Sequence, residues 1–166
     1  MFFVYFILIT SFLLDGILSN YLDYMLGDIT LFSPLLTIIA LLIIYPFFRK
    51  NDNQYLVIAF ITGFLYDLFY TNLLFTNAIL FLLLAIIYKY LYKKLAFNII
   101  TMSFSILLII TIYETILSFL LFIFNIVPIT FTDVTYLIIH SLILNIIYGD
   151  ILYLIASKTK RKRRLN

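Results

Sequence analysis

The sequence predicts an all-α integral membrane protein, a six-transmembrane-helix bundle with both ends in the cytoplasm. Three observations carry this. Hydrophobic residues make up 65% of the 166 residues and charged ones 11%, with a mean hydropathy of +1.16, whereas soluble chains carry about 25% charged residues. Six apolar stretches of membrane-spanning length follow one another. All eleven basic residues fall in alternate connections. With four Gly and three Pro, the composition leaves no room for a flexible linker. No internal repeat is evident, so one domain over residues 1–157 is expected, followed by a basic cytoplasmic tail over 158–166.

A span needs about 20 apolar residues, which divides the chain into roughly 2–18, 32–48, 54–70, 73–92, 96–124 and 133–157. The first stretch lacks a basic leader and a small-residue cleavage site, so it reads as a retained helix and not a signal peptide. Ser33-Pro34 suits the start of the second span, Ser as N-cap and Pro at the first helical position. Only Thr71-Asn72 separates spans three and four, which predicts a tight antiparallel hairpin.

Orientation follows from charge. Arg49 and Lys50 follow span two, Lys89, Lys93 and Lys94 close span four, and Lys158, Lys160, Arg161, Lys162, Arg163 and Arg164 follow span six. The other connections hold no basic residue, and the first contains Asp23 and Asp28. The positive-inside rule then gives a cytoplasmic N-terminus and a cytoplasmic C-terminus. Tyr21, Tyr24, Tyr70 and Tyr136 would form the outer aromatic belt; Tyr45, Tyr55, Tyr88, Tyr92 and Tyr153 the inner one.

The absence of Cys excludes disulfides and thiolate metal sites, and one histidine, His140, makes a His-based metal site improbable. No phosphate-cradling loop, HExxH pair or serine elbow is present, so a non-enzymatic protein with no cofactor and no metal is expected. What remains is a set of polar residues inside spans, where an ionisable group costs about 2.5–3.5 kcal/mol on insertion scales. Asp15 and Asp67 fall about one turn from the outer surface. Gly63 and Asp67, at i,i+4, share a face suited to close helix approach and one polar contact, with a partner or within the bundle. Glu114 lies near mid-membrane; Thr111, Glu114, Thr115 and Ser118 share a face that cannot point at lipid. In span six Ser141 and Asn145 repeat the i,i+4 spacing, with Gly149 one turn on. His140 reads as a satisfied bundle residue, and Asp150 as a partner for Lys89 or Lys93. Six basic residues among positions 158–164 at a membrane exit suit anionic headgroups at about 1 kcal/mol per charge; nucleic-acid binding is not expected.

The stretch from Pro34 to about Lys94 resembles the rod shape-determining protein MreD family. The residues are a Pro-started span ending in Tyr45-Pro46, a short polar loop, Gly63-Phe64-Leu65-Tyr66-Asp67-Leu68-Phe69, a short turn, and Thr76-Asn77-Ala78 on the next helix. Length, six spans, the basic tail and Asn145 also fit. Two positions depart: the family often has Gly where Phe75 stands, and often Pro where Asp150 stands. These put in doubt the turn before span four and a kink in span six. The resemblance implies a non-enzymatic inner-membrane protein of the cell-elongation machinery. Its implied partners are the bitopic MreC, the actin-like MreB, the glycosyltransferase RodA and a class B penicillin-binding protein, which together direct lateral peptidoglycan synthesis and cell shape.

The competing reading is the substrate-binding subunit of an energy-coupling-factor vitamin transporter, another small six-helix membrane protein. Those carry small-residue Ala motifs in span one, and Phe2 to Leu18 contains no Ala. An intramembrane enzyme using Glu114 and His140 is a third class, but two isolated polar residues make no catalytic constellation.

Overall fold

The computed structural model describes residues 2–26, 34–48, 51–71, 73–95, 98–126, 128 and 130–165, without the side chains of 22–26 and 160–165. The described residues form six helices and no strand: α1 (Phe2–Leu26), α2 (Leu36–Phe48), α3 (Asp52–Tyr70), α4 (Thr76–Lys94), α5 (Ile99–Ile123) and α6 (Phe131–Leu165). Four of them, α1, α4, α5 and α6, are long and apolar enough to cross a membrane. Large apolar side chains line their outer faces in quantity, for example Phe2, Phe6, Ile9, Leu13 and Ile17 along α1 and Ile139, Ile143, Ile147 and Ile151 along α6. Such faces are stable only against hydrocarbon.

The helices alternate in direction. Phe3 of α1 meets Phe47 at the end of α2. Asp52 at the start of α3 pairs with Lys89 near the end of α4 at 2.9 Å. Ser103, one turn into α5, donates to Asp150 of α6 at 2.8 Å. These contacts define one common end of the bundle, here the basic end.

Helix α2 is the centre. Every residue from Leu36 to Phe48 except Phe47 is buried, and α1, α3, α4 and α6 all pack on it. A helix apolar on all sides must be enclosed on all sides. Its 13 residues reach only about 20 Å, against a hydrocarbon thickness of about 30 Å. Its first turn therefore lies inside the bundle, where water cannot satisfy its free N–H groups.

The helices differ in detail from the expected spans. Helix α1 continues eight residues past residue 18, where the first span was expected to end, so Asp15 lies in mid-helix. Helix α2 begins at Leu36, so Pro34 precedes it instead of occupying its first position; the proposed cap, Ser33, lies outside the described residues. Helix α3 is not among the four membrane-length apolar helices, because Asp52-Asn53-Gln54 and Asp67 dilute it. Helix α6 runs unbroken through Asp150 to Leu165, so the basic segment is a helical continuation and not a separate tail. Phe75, where a glycine-dependent turn was in doubt, adopts φ 67°, the left-handed conformation that glycine takes freely. Its phenyl ring lies against that of Phe64, with centroids 5.3 Å apart in a tilted arrangement.

The inner tyrosine belt is also revised. Tyr45, Tyr55 and Tyr88 are fully buried, and Tyr45 packs on Tyr55, Tyr88 and Tyr92 with ring centroids 4.8, 5.9 and 5.1 Å away. They fill the core between α2, α3 and α4 instead of lying at an interface.

Candidate functional site

Asp15, Asp67 and Glu114 each lie roughly 20 Å along their helices from the basic end, so one level of the bundle holds most of its buried polar groups. That level is also where α2 and α4 begin.

Asp15 of α1 caps α2 from across the bundle. Its Oδ1 accepts from Leu36 N at 2.7 Å and its Oδ2 from Thr37 N at 2.8 Å, and the Thr37 hydroxyl also donates to Oδ2. Asn145 of α6 completes the cap: its Oδ1 accepts from Leu35 N at 2.9 Å, while its Nδ2 donates to Ser141 O at 2.7 Å. Three consecutive backbone donors at the buried start of α2 are thus satisfied by two other helices. A carboxylate there also meets the positive end of the helix dipole. Alongside, Ser11 and Tyr148 share a hydrogen bond at 2.6 Å, tying α1 to α6.

Asp67 of α3 does the same for α4. It accepts from Asn77 N at 3.0 Å, Ala78 N at 3.0 Å, Asn77 Nδ2 at 2.9 Å and the Thr71 hydroxyl at 3.1 Å. Asn77 Oδ1 in turn accepts from Tyr113 OH at 2.8 Å, extending the network to α5. Gly63 permits this arrangement. A Cβ there would collide with the Asn77 carbonyl and come within 2.7 Å of Ala78 Cα, so α3 and α4 touch backbone to backbone. The face that Gly63 and Asp67 share is therefore filled by α4 and is not open to a partner helix.

Glu114 is buried, as is Ser118. Thr115, assigned to the same enclosed face, is exposed and Thr111 half-buried; their hydroxyls donate to Thr111 O at 2.7 Å and Leu107 O at 2.9 Å. A threonine bonded to its own helix presents a methyl group outward, which is how this face tolerates lipid. Tyr66 packs on Phe12, Tyr70 and Phe81 with ring centroids 6.3, 4.9 and 5.4 Å away, joining α1, α3 and α4 at this level. Gly149 sits where a Cβ would collide with Ile106 of α5 and lie 3.2 Å from Ile39 of α2, so it admits α6 to both neighbours.

One further placement differs from expectation and one agrees with it. Asp150 bonds Ser103 while Lys89 bonds Asp52. His140 is half-buried, with its ring 3.8 Å from that of Tyr136 in a tilted arrangement and a bond to the Tyr136 carbonyl at 2.8 Å, as a satisfied bundle residue would be.

The sequence reading missed Ser11, Thr37, Tyr113 and Tyr148, and with them a repeat. Ser11-Phe12-Leu13-Leu14-Asp15, Gly63-Phe64-Leu65-Tyr66-Asp67 and Ser141-Leu142-Ile143-Leu144-Asn145 share one pattern, a small residue four before an Asp or Asn. In all three the acceptor caps the buried start of another helix.

The class so defined is an all-helical chain with membrane-length apolar helices, locked at one level by side chains that cap helices across the bundle. No family model, no curated protein and no solved structure matches the chain.

Proposed function

We propose that the chain spans the bacterial inner membrane six times with both ends in the cytoplasm, and that it is a scaffold component of the cell-elongation machinery. In this reading it helps direct lateral peptidoglycan synthesis and cell shape through an MreC-like bitopic protein, with MreB, RodA and a class B penicillin-binding protein as further partners. The observation that carries it is the conformation of Phe75. The family it resembles often has glycine there, and this chain keeps the left-handed backbone at φ 67° with phenylalanine. The neighbouring residues of the resemblance, Gly63, Asp67, Asn77 and Ala78, are those that join α3 to α4.

All eleven basic residues in alternate connections support the orientation. Counting α2 and α3 as spans is part of the proposal, supported by the enclosure of α2 among its neighbours and by the bonding of Asp67 of α3 to α4. Helix α6, at 35 residues, is about 52 Å long, longer than a bilayer with its headgroups at about 40–45 Å. Lys158 and the basic residues from Lys160 to Arg164 therefore stand at its cytoplasmic end, within reach of anionic headgroups.

Depletion in the native host is expected to round rod-shaped cells or misshape ovococci, and the tagged protein to co-purify with a bitopic MreC-like protein. Normal shape after complete depletion, with no such protein recovered, would sink the reading. The transporter alternative predicts a co-purifying vitamin instead. The cavity between α4 and α5 does not suit a vitamin, since its lining is Leu, Ile and Phe with Thr76 the one polar residue, and a small-molecule site needs several polar anchors.

A further inference from the structure

The six helices are not packed equally along their length. At the basic half, α5 is held closely: Ile106 reaches the Gly149 gap in α6, Ser103 bonds Asp150, and Tyr113 meets Phe81 with centroids 6.3 Å apart. Beyond Glu114 it separates from both neighbours. On one side a partly enclosed cavity of about 640 Å³ lies between the start of α4 (Leu73, Leu74, Thr76) and the end of α5 (Leu117, Leu120, Leu121). On the other, about 300 Å³ opens between α5 and the start of α6.

We infer that the larger cleft is a binding site for one acyl chain of a membrane lipid, in the leaflet opposite the basic end. Three observations lead there. The lining is aliphatic and aromatic but for Thr76, so the occupant is apolar along its length. The cleft is level with the outer third of α5, which the proposed topology puts within hydrocarbon depth, where a void forfeits dispersion contacts and is filled by what surrounds it. Size then selects the occupant. One turn of an α-helix about 10 Å wide and 5.4 Å high fills roughly 400 Å³, so 640 Å³ holds less than two turns, too little for a transmembrane partner. With a methylene taken as similar in size to a water at about 30 Å³, the same space holds roughly twenty methylenes, the length of one fatty-acid chain. The inference stands whether or not the elongation role does.

The chain contains no Trp, so a single introduced Trp reports on this cleft alone. Leu120→Trp on α5 and Leu73→Trp on the turn into α4, both half-buried cavity-lining positions, are the probes, and Ile143→Trp, on the exposed surface of α6, is the reference. The purified full chain in detergent is titrated with a phospholipid brominated on its acyl chains. Quenching at both cleft positions is expected to saturate within a few lipid equivalents, at least fivefold below the concentration that half-quenches the reference. Parallel quenching at all three positions would overturn the site, because the cleft would then hold no chain in preference to the bulk. Weaker quenching in the cleft than at the reference would overturn it too, since protein would be filling the space.

Discussion

The starts of α2 and α4 are both buried and both capped by an aspartate from another helix, yet they are assembled differently. Asp67 reaches Asn77 and Ala78, ten and eleven residues ahead, across one short turn. The cap of α2 draws on Asp15, 21 and 22 residues behind, and on Asn145, 110 residues ahead. The α3–α4 junction is thus a property of a hairpin, and the α2 junction a property of the whole bundle. Damage to the first loosens two helices, while damage to the second releases the helix on which the others pack.

The sharpest way to test that contrast is Asp15→Leu. It leaves the Leu36 and Thr37 amides and the Thr37 hydroxyl unpaired at about 1–3 kcal/mol each, so the protein is expected to accumulate poorly or to melt far below wild type in detergent. Asp15→Asn, which keeps one acceptor oxygen, is expected to be milder. Equal melting of Asp15→Leu and wild type would show that α2 needs no cap.

Gly63→Ala comes next. The added methyl meets backbone atoms of Asn77 and Ala78, which cannot give as a side chain could, at an expected cost of about 1–3 kcal/mol. Its melting loss should be accompanied by increased proteolysis confined to α3–α4, which limited proteolysis with mass mapping would read. Cleavage spread over α1 and α6 would dissolve the distinction between the two junctions.

Asn145→Ala removes the one bond to Leu35 N and is expected to cost about 1–2 kcal/mol. Its effect combined with Asp15→Asn is expected to exceed the sum of the two, because both hold the same helix end. Strict additivity in a double-mutant cycle would mean that the two caps act separately.

The smallest effect belongs to the ion pair at the basic end. The Lys89 ammonium beside Asp52 holds that carboxyl below its ordinary range, and at this exposure such a pair contributes about 0–1 kcal/mol. Because the folded value is lowered, the contribution is present above the ordinary value of 3.8 and fades as pH falls through the lowered one. Lys89→Ala is therefore expected to shift melting slightly at pH 7 and not at pH 3; the same shift at both would assign the effect to packing of the lysine stem.

The helices were legible because a membrane-length helix demands a long apolar run. Helix ends were less so. At α5 and α6 the caps are local, as in Asn98 with Thr101 and Thr130 with Asp133, and a sequence window can contain both partners. At α2 and α4 the capping group belongs to another helix, so Ser33-Pro34 looked sufficient and Asp15 looked interfacial. Glu114, Asn145 and Gly63 stood out as polar or small residues out of place in lipid. Their partners did not, since hydroxyls such as Thr37 and Tyr113 are ordinary in apolar helices. The recurring small residue four before Asp or Asn was readable, but only a comparison across spans reveals it.

The separation of Leu35 from Asn145 also sets an order of events during biosynthesis. A ribosome adding about 5–20 residues per second takes roughly 5–20 seconds to cover those 110 residues. Throughout that interval α2 has left the translocon or waits beside it with one amide unanswered. Its early lodging with α1 rests on Asp15 and on packing such as Phe3 against Phe47, and arrival of α6 supplies the remaining cap. Nascent chains arrested before residue 145 would therefore hold α2 in a provisional position, exposed to quality-control proteases that the finished chain escapes.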